Sequence, residues 1–333
     1  MKKGIVLGKF MPLHKGHLAL IDFAHSQCDH LYVILCHMQG EYIDGKLRER
    51  WLAEALLTYD HAQLISFAYT ENELSNTSVS SKEVSKKWAT ALQRIVPDAN
   101  IIFTSEPYGD YVAEYMGISH ISFDEKRINY PVSGELIRKD AFTHIDLVAD
   151  TARDFFIKKI AILGTESTGK STLTEKLADY YHTVFIPEMA RDIIEHTNEC
   201  TYEHLERIAG LQAKTILEKI SDANKLLFAD TDLIITKSYS RFLFNKELKV
   251  PEWVEQANNF DLYLFLGPDC EHMQDGTRLA EEERNRLSEY HKRELINAGK
   301  SFISINGNWD ERLLQAKKII DQTFFNKNGG DQK

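Results

Sequence analysis

Short apolar runs alternate with longer amphipathic stretches along the chain, and the alternation is run through twice. In the first half the runs Gly4 to Leu7, Leu31 to Cys36, Leu64 to Ala68, Ile101 to Thr104 and His120 to Phe123 read as strands. Helices are expected between them, for example at His17 to Ser26 and Lys46 to Thr58. The pattern restarts with KKIAILG (residues 158–164), the helical STLTEKLADYY, the buried strands KLLFADTD, DLYLFLG and FISING, and a long helical stretch from Tyr202 to Ile220. Strands that are apolar along their whole length, with helices between them, form parallel sheets covered on both faces. The expectation is an α/β protein of two doubly wound parallel-sheet domains, residues 1–152 and 153–326, with a disordered tail at 327–333. The segment HIDLVADTARDFFIKK (144–159) has no Gly or Ser cluster and reads as one mostly helical connection across the boundary.

At 333 residues the chain exceeds the length at which a single core usually stops growing, which agrees with two domains. Forty Lys and Arg against fifty Asp and Glu give a net charge of −10. That balance argues against a nucleic-acid surface, which needs a field of cations to replace counterions; small molecules are the expected partners. Cys28, Cys36, Cys200 and Cys270 have no metal-ligand or disulfide spacing and fit a reducing, cytoplasmic setting. Lys9 interrupts the apolar start, so no signal peptide is read there. No run reaches the roughly 18 apolar residues of a membrane span. The sequence does not fix an oligomeric state and is compatible with a homo-oligomer.

Two stretches carry chemistry. GKFMPLHKGH (Gly8 to His17) follows the first strand and runs into a helix. Ligands of open parallel sheets gather at the carboxyl ends of strands, where helix starts offer free N–H groups. His14 and His17, three apart at such a start, share a face and can aim at one phosphate chain, and Gly16 leaves room for the backbone to approach. GTESTGKS (Gly164 to Ser171) follows the strand Ile160 to Leu163 and matches GxxxxGK[ST]. Its backbone from Gly164 through Thr165, Glu166, Ser167, Thr168 and Gly169 would cradle the phosphates, with Lys170 on the β- and γ-oxygens, Ser171 on magnesium and Thr172 opening the helix. At the end of KLLFADTD, Asp230 or Asp232 would hold magnesium through water or act as base. Asp230 is favoured as the inner residue, with Asp232 behind it.

The first stretch resembles the HxGH signature of the nucleotidyltransferase superfamily, which joins a phosphate monoester to the α-phosphorus of ATP and releases pyrophosphate. PVSGELIRKD is similar to that family's second signature, with Ser133 as a helix cap toward a phosphate oxygen and Arg138 on the β- and γ-phosphates. Gly134 and Glu135 depart from it, since the family often carries hydroxyl residues there. The order GKFMPLHKGH, TSEPYGD, FDEKRINYPVSGELIR and then a P-loop resembles the bifunctional nicotinamide mononucleotide adenylyltransferase and ribosylnicotinamide kinase family, the NadR type, over nearly the whole chain.

The resemblance implies an HxGH Rossmann-like domain followed by a P-loop kinase domain. Nicotinamide riboside would be phosphorylated by ATP in the second domain, and the mononucleotide adenylylated to NAD in the first. ATP in the first domain would meet Gly8, Lys9, Phe10, His14, Gly16, His17, Glu106, Tyr108, Ser133 and Arg138. The charge moving onto pyrophosphate would be neutralised by Lys9, His14, His17, Arg138 and magnesium. Trp88 is read as a ring to stack on nicotinamide or as plain core, and Asp124 and Arg127 as substrate contacts or a surface ion pair. Glu188 and Arg191 of PEMARD would bind the acceptor or merely open a helix. DGTRLAEEERNR reads as a lid with Arg278 foremost, then Arg284 and Arg286, while INGNWDER is similar to the loop beside adenine. The first strand begins at the fourth residue, so the operator-binding helix-turn-helix of some family members is not expected. Other readings stand beside this one. The first domain could be a weakly active NAD or ATP sensor, motivated by Gly134 and Glu135, or the same two chemistries could serve another nucleoside or a phosphopantetheine-like substrate.

Overall fold

The computed structural model describes residues 1–75, 81–194, 200–269 and 281–325. It divides into two compact units, Met1–Phe156 and Ile157–Lys333.

In the first unit β1 (Lys3–Gly8), α1 (Lys15–His25), β2 (His30–His37), α2 (Gly45–Ala55) and β3 (Ala62–Ala68) are followed by α3 (Lys82–Ile95), β4 (Ile101–Thr104), α4 (Tyr108–Met116), β5 (Ser119–Ser122), α5 (Gly134–Lys139) and α6 (Asp150–Arg153). The five strands are parallel in the order β3-β2-β1-β4-β5. The middle strand β1 is the first in sequence, so the chain leaves it in one direction toward β2 and later returns to its other side at β4. The loops that follow β1 and β4 therefore part, and a crevice opens between them at the carboxyl ends of the strands.

In the second unit β6 (Lys158–Leu163), α7 (Lys170–Tyr180), β7 (Phe185–Ile186), α8 (Tyr202–Lys219), β8 (Leu226–Asp230), α9 (Leu233–Phe244), α10 (Glu252–Ala257), β9 (Leu262–Leu266), α11 (Glu281–Asn297), β10 (Ile303–Ile305) and α12 (Trp309–Ile320) build a second parallel sheet, β10-β9-β6-β8-β7. Its central strands LLFAD and LYLFL are buried at every position, as helices on both faces require. The loop leaving β6 emerges between β8 and β9.

Two local readings change. The helix expected from His17 starts at Lys15, because the His14 side chain caps it. The segment 144–159 is not one helix: single turns at Ile145–Leu147 and Asp154–Phe156 flank α6, and Val148 between them is extended. The cause is a pairing of Val148 with His14, reinforced by the Ala149 N–H donating to the Leu13 carbonyl at 3.1 Å. The tail at 327–333 and Cys270 lie outside the described residues.

Asp232 is fully buried and caps α9, accepting the Ile235 N–H at 3.0 Å. Burial pushes its carboxyl up to about 7 against the pull of that cap. Since this value lies above that of the unfolded chain, the protonated carboxyl stabilises the fold fully below pH 4, and the benefit is lost as pH rises toward 7. Asp232→Asn, which keeps a capping oxygen, should lack this dependence. In urea unfolding of the second unit, the variant should gain a few kcal/mol at most on wild type between pH 4 and pH 8, at about 1.4 kcal/mol per unit of pKa shift; parallel pH profiles would refute the assignment.

Candidate active sites

A cavity of about 680 Å³ occupies the crevice of the first unit. Of the residues expected at that site, Gly8, Lys9, Phe10, His14, Gly16, His17, Trp88, Glu106, Tyr108, Asp124, Arg127, Ser133 and Arg138 all line it, with Gly134 and Glu135. The loop after β1 places the histidines. Phe10 is buried at a φ of 46°, its ring edge against His17 at 4.9 Å. His14 is extended, and its Nδ1 accepts the His17 N–H at 3.3 Å, which stacks the two imidazoles 3.5 Å apart. An accepting Nδ1 leaves the proton of neutral His14 on Nε2. A Cβ on Gly16 would stand 2.8 Å from Val132 Cγ1 and 3.2 Å from His14 Nδ1, so this glycine is what lets strand end, helix and later loop meet.

Burial, with Arg127 and Arg138 nearby, lowers His14 to about 3; burial, His14 and Arg127 lower His17 well below its ordinary value. Near neutral pH both rings are therefore neutral N–H donors, and the cations that act on them are guanidinium groups. Arg138 donates to the Met11 carbonyl from the α5 helix that Ser133 caps. The Gly134 departure has a local reason, because a Cβ there would stand 2.8 Å from both the Met11 carbonyl oxygen and Arg138 Nη1. Glu135 pairs with Lys139, both exposed.

Lys9 is held by Glu41 at 2.7 Å. Glu41 also accepts from the Met38 N–H and pairs with fully buried Arg48, which donates to the Lys9 carbonyl at 2.7 Å. The sequence reading did not find Glu41 or Arg48, whose partners lie 32 and 39 residues away. Asp124 and Arg127 are not a mutual ion pair. Asp124, at a φ of 44°, accepts the N–H groups of Ile128, Asn129 and Tyr130. Arg127, at a φ of 52°, pairs with Glu106 at 2.9 Å and donates to the Val132 carbonyl. Trp88 is both core and lining: half-buried in α3, it meets Tyr69 edge-on at 5.1 Å and borders the cavity. Thr104, also on the wall, is held by His120 at 2.9 Å, which in turn contacts Asp110 at 2.7 Å, and it fixes the SEPYG turn by donating to the Glu106 carbonyl.

In the second unit the loop between β6 and α7 needs its glycines. Gly164 has a φ of 148°, and a Cβ would stand 2.9 Å from the Leu266 carbonyl; Gly169 has a φ of 84° and lies against Trp309. Thr165 and Thr168 are buried, Thr168 Oγ1 donating to the Thr165 carbonyl. Glu166 and Ser167 are half-buried and Thr172 is exposed. Lys170 is buried and donates to the Thr165 carbonyl at 3.1 Å. Ser171 Oγ donates to Asp230 at 2.5 Å and accepts from Arg191 at 2.7 Å, and Arg191 also contacts Glu188 at 3.3 Å. Burial raises Asp230 in spite of Lys170, and its second oxygen has no hydrogen-bond partner among the described residues. Ser171 and that free carboxylate oxygen suit a small hard cation that keeps part of its water shell, as magnesium does. Asp232 is not brought to this group: it caps α9, and Lys300 and Lys237 are the charges that pull its carboxyl down against burial.

Arg278 lies outside the described residues. Arg284 is buried, with Nη2 on the Pro268 carbonyl at 2.9 Å and its Nε and Nη1 without partners among the described residues, whereas Arg286 is exposed. The sequence reading found no diagnostic side chain in INGNWDER, yet Arg312 is one. Fully buried, it donates to the Thr168 carbonyl at 2.6 Å, to those of Gly307 and Gly267, and to Asp269 at 2.5 Å. The legible signal was the Asn308 and Glu311 capping box that opens α12.

Comparisons agree with this geometry. A family model described as an AAA domain matches residues 159–312. The chain is 29% identical over 297 residues to the trifunctional NAD biosynthesis/regulator protein NadR of Escherichia coli, covering 83% of this chain and 71% of the relative. A crystal structure of NadR protein in complex with NR superposes with a TM-score of 0.80 at 21% identity, covering 99% and 98% of the two chains. One in complex with NAD and AMP-PNP gives 0.78 at 20% over the same shares. The NadR resemblance and the two-sheet α/β fold expected from the motifs are borne out.

Two outcomes follow from the geometry. Because burial keeps both imidazoles neutral across this range, with His14 lowered to about 3 and His17 well below its ordinary value, affinity of the first site for an ATP analogue should be nearly flat from pH 6 to 8 in calorimetry; a tenfold gain per unit of acidification would show that they bind as cations. Arg312→Ala should destabilise the second unit by a few kcal/mol, at about 1–3 kcal/mol for each buried carbonyl left without its donor. Arg312→Lys, which cannot span four acceptors, should weaken ATP binding at least tenfold in a His17→Ala background; unchanged binding would deny Arg312 its part in shaping the loop.

Proposed function

We propose that the chain catalyses two consecutive steps of pyridine-nucleotide synthesis in the cytoplasm. The second unit transfers the γ-phosphoryl group of ATP to nicotinamide riboside, and the first joins the resulting nicotinamide mononucleotide to the adenylyl group of ATP, giving NAD and pyrophosphate. The observation that carries the reading is the presence, in one chain similar to NadR over 83% of its length, of a paired-histidine cavity and a complete phosphate loop.

In the first unit the mononucleotide phosphate attacks the α-phosphorus in line, the bond to the bridging oxygen breaks, and the electron pair leaves with pyrophosphate. No enzyme group becomes covalently attached. His14 and His17 donate N–H groups to the oxygens on which charge grows, Arg138 holds the β- and γ-phosphates, and Ser133 and Lys9 complete the anion site. Lys9 must exchange Glu41 for phosphate as ATP enters. Glu106 and Tyr108 lie toward adenine, and Trp88 offers an indole face to the cationic pyridinium, with Asp124 and Arg127 closing that wall.

In the second unit the loop from Gly164 to Ser171 cradles ATP, with Lys170 on the transferring phosphate. Magnesium, held by Ser171 and Asp230, would neutralise the phosphates. Glu188 and Arg191 bind the acceptor, and Asp230, reaching the cation through water, is the carboxylate placed to take the proton of the ribose hydroxyl. Arg284, whose Nε and Nη1 have no partner among the described residues, is the described arginine that best fits a contact to the moving phosphoryl group. The close approach of Met11 explains the Gly134 departure and so weakens one of the two motives for reading the first unit as a sensor.

Purified protein incubated with nicotinamide riboside, ATP and magnesium should form mononucleotide and then NAD, followed by chromatography. Lys170→Ala should reduce both products from riboside by a hundredfold or more, yet still convert added mononucleotide to NAD; His17→Ala should stop at mononucleotide. Wild type that stops there too, or that prefers uridine or pantetheine, would overturn the proposal.

A further inference from the structure

Lys9 stands on the wall of the first cavity, yet its ammonium is turned to a carboxylate behind that wall. The Lys9 side chain is 28% exposed, and Nζ lies 2.7 Å from Glu41 Oε1. Glu41 itself is not a lining residue, and its side chain is 7% exposed. Its other oxygen accepts the Met38 N–H at 3.1 Å and pairs with Arg48 of α2. Arg48 also donates to the Lys9 carbonyl at 2.7 Å. The arginine therefore grips Lys9 twice, at the backbone directly and at the side chain through Glu41.

The two cations on Glu41 differ in their freedom to leave. Arg48 is fully buried and fixed by backbone carbonyls, whereas Lys9 is partly exposed on a long stem and borders the space where phosphates would lie. A buried carboxylate stripped of its only partner is strongly destabilising. Glu41 escapes that penalty, because after Lys9 swings away it keeps Arg48 and the Met38 N–H. Burial works to raise its carboxyl, but the bonds from Lys9, the Met38 N–H and Arg48 hold it below the ordinary carboxylate value, so it stays charged. A phosphate entering the cavity must then take Lys9 from a standing competitor. Its apparent affinity falls by the fraction of time that Lys9 is held back. The same carboxylate recovers Lys9 when pyrophosphate departs.

We infer that Glu41, with Arg48 as its permanent counter-charge, is a positioning residue that competes with phosphate for Lys9 and thereby limits the affinity of the first unit for ATP and pyrophosphate alike. This role rests on the reading of that cavity as a triphosphate site, not on the reaction run there. The test is calorimetry with α,β-methylene-ATP on the full chain carrying Lys170→Ala, which removes the phosphate lysine of the second unit. Glu41→Gln, whose amide oxygen can still accept from Met38 and Arg48, should bind the analogue roughly three- to fivefold more tightly, the scale of one part-exposed ion pair. Pyrophosphate should gain by the same factor. With Lys170 restored, KM for ATP in NAD formation from added mononucleotide should fall while kcat does not rise, as for an interaction with ground and transition state alike. Placed on Lys9→Ala, Glu41→Gln should change affinity less than twofold. Glu41→Asp, which leaves Arg48 a carboxylate but withdraws it from Lys9, should act in the same direction as Glu41→Gln. Unchanged or weaker binding in Glu41→Gln, a gain that persists without Lys9, or failure of both Glu41 variants to fold would overturn the role. Analogue binding that His17→Ala leaves untouched would overturn the reading of the cavity as well.

Discussion

A loop that turns its N–H groups toward an anion must point its carbonyl oxygens elsewhere, and a buried carbonyl without a donor is costly. In both units arginines supply most of these donors, with Thr168 and Lys170 serving the Thr165 carbonyl. Arg48 holds the Lys9 carbonyl and Arg138 that of Met11 in the loop after β1, while Arg127 holds that of Val132. In the second unit Arg312 collects the carbonyls of Thr168, Gly267 and Gly307, and Arg284 takes that of Pro268. A guanidinium suits the task because its five donors lie in one rigid plane and it does not lose its proton when buried. The loops are thus shaped from behind, before any phosphate arrives.

That arrangement explains how a chain with a net charge of −10 can serve two triphosphate sites. Positive charge is concentrated where the backbone needs it and is partly answered on the spot, by Glu41 at Lys9 and Arg48, Glu106 at Arg127 and Asp269 at Arg312. The stacked histidines add directed N–H groups without adding charge. The cavity is therefore not an open cationic funnel but a set of donors with preset directions, the kind of preorganisation that favours a transition state over loosely bound anions.

The strands and both anion loops were legible because their signals are local: apolar runs of strand length, glycines at fixed offsets and histidines three apart. β4 falls at Ile101–Thr104 as read from the sequence, and β1 differs only at its ends. What escaped was set by contacts far along the chain. Glu41 and Arg48 matter through Lys9, and Arg312 through a carbonyl 144 residues away; no window of sequence contains either pair. Asp124 and Arg127, three apart, read equally as substrate contacts or a surface ion pair; the pair does not form, because both take positive φ and the loop's own N–H groups claim the carboxylate. Asp230 and Asp232 stand two apart in KLLFADTD, and by sequence Asp232 reads as lying behind Asp230, yet Thr231 at a φ of 76° turns the chain between them, so one faces Ser171 and the other caps the start of a helix.

The pairing of Val148 with His14 fixes where the first unit can be cut. The segment that ends this unit is also the strap that keeps Leu13 and His14 extended, and Ile145, Val148, Ala149 and Ala152 are all buried beneath it. A fragment ended at the last turn of α5 would retain all five strands and every motif residue. It would nonetheless release the loop on which the histidine pair depends, so the adenylyl-transfer unit, prepared alone, has to be carried through Phe156.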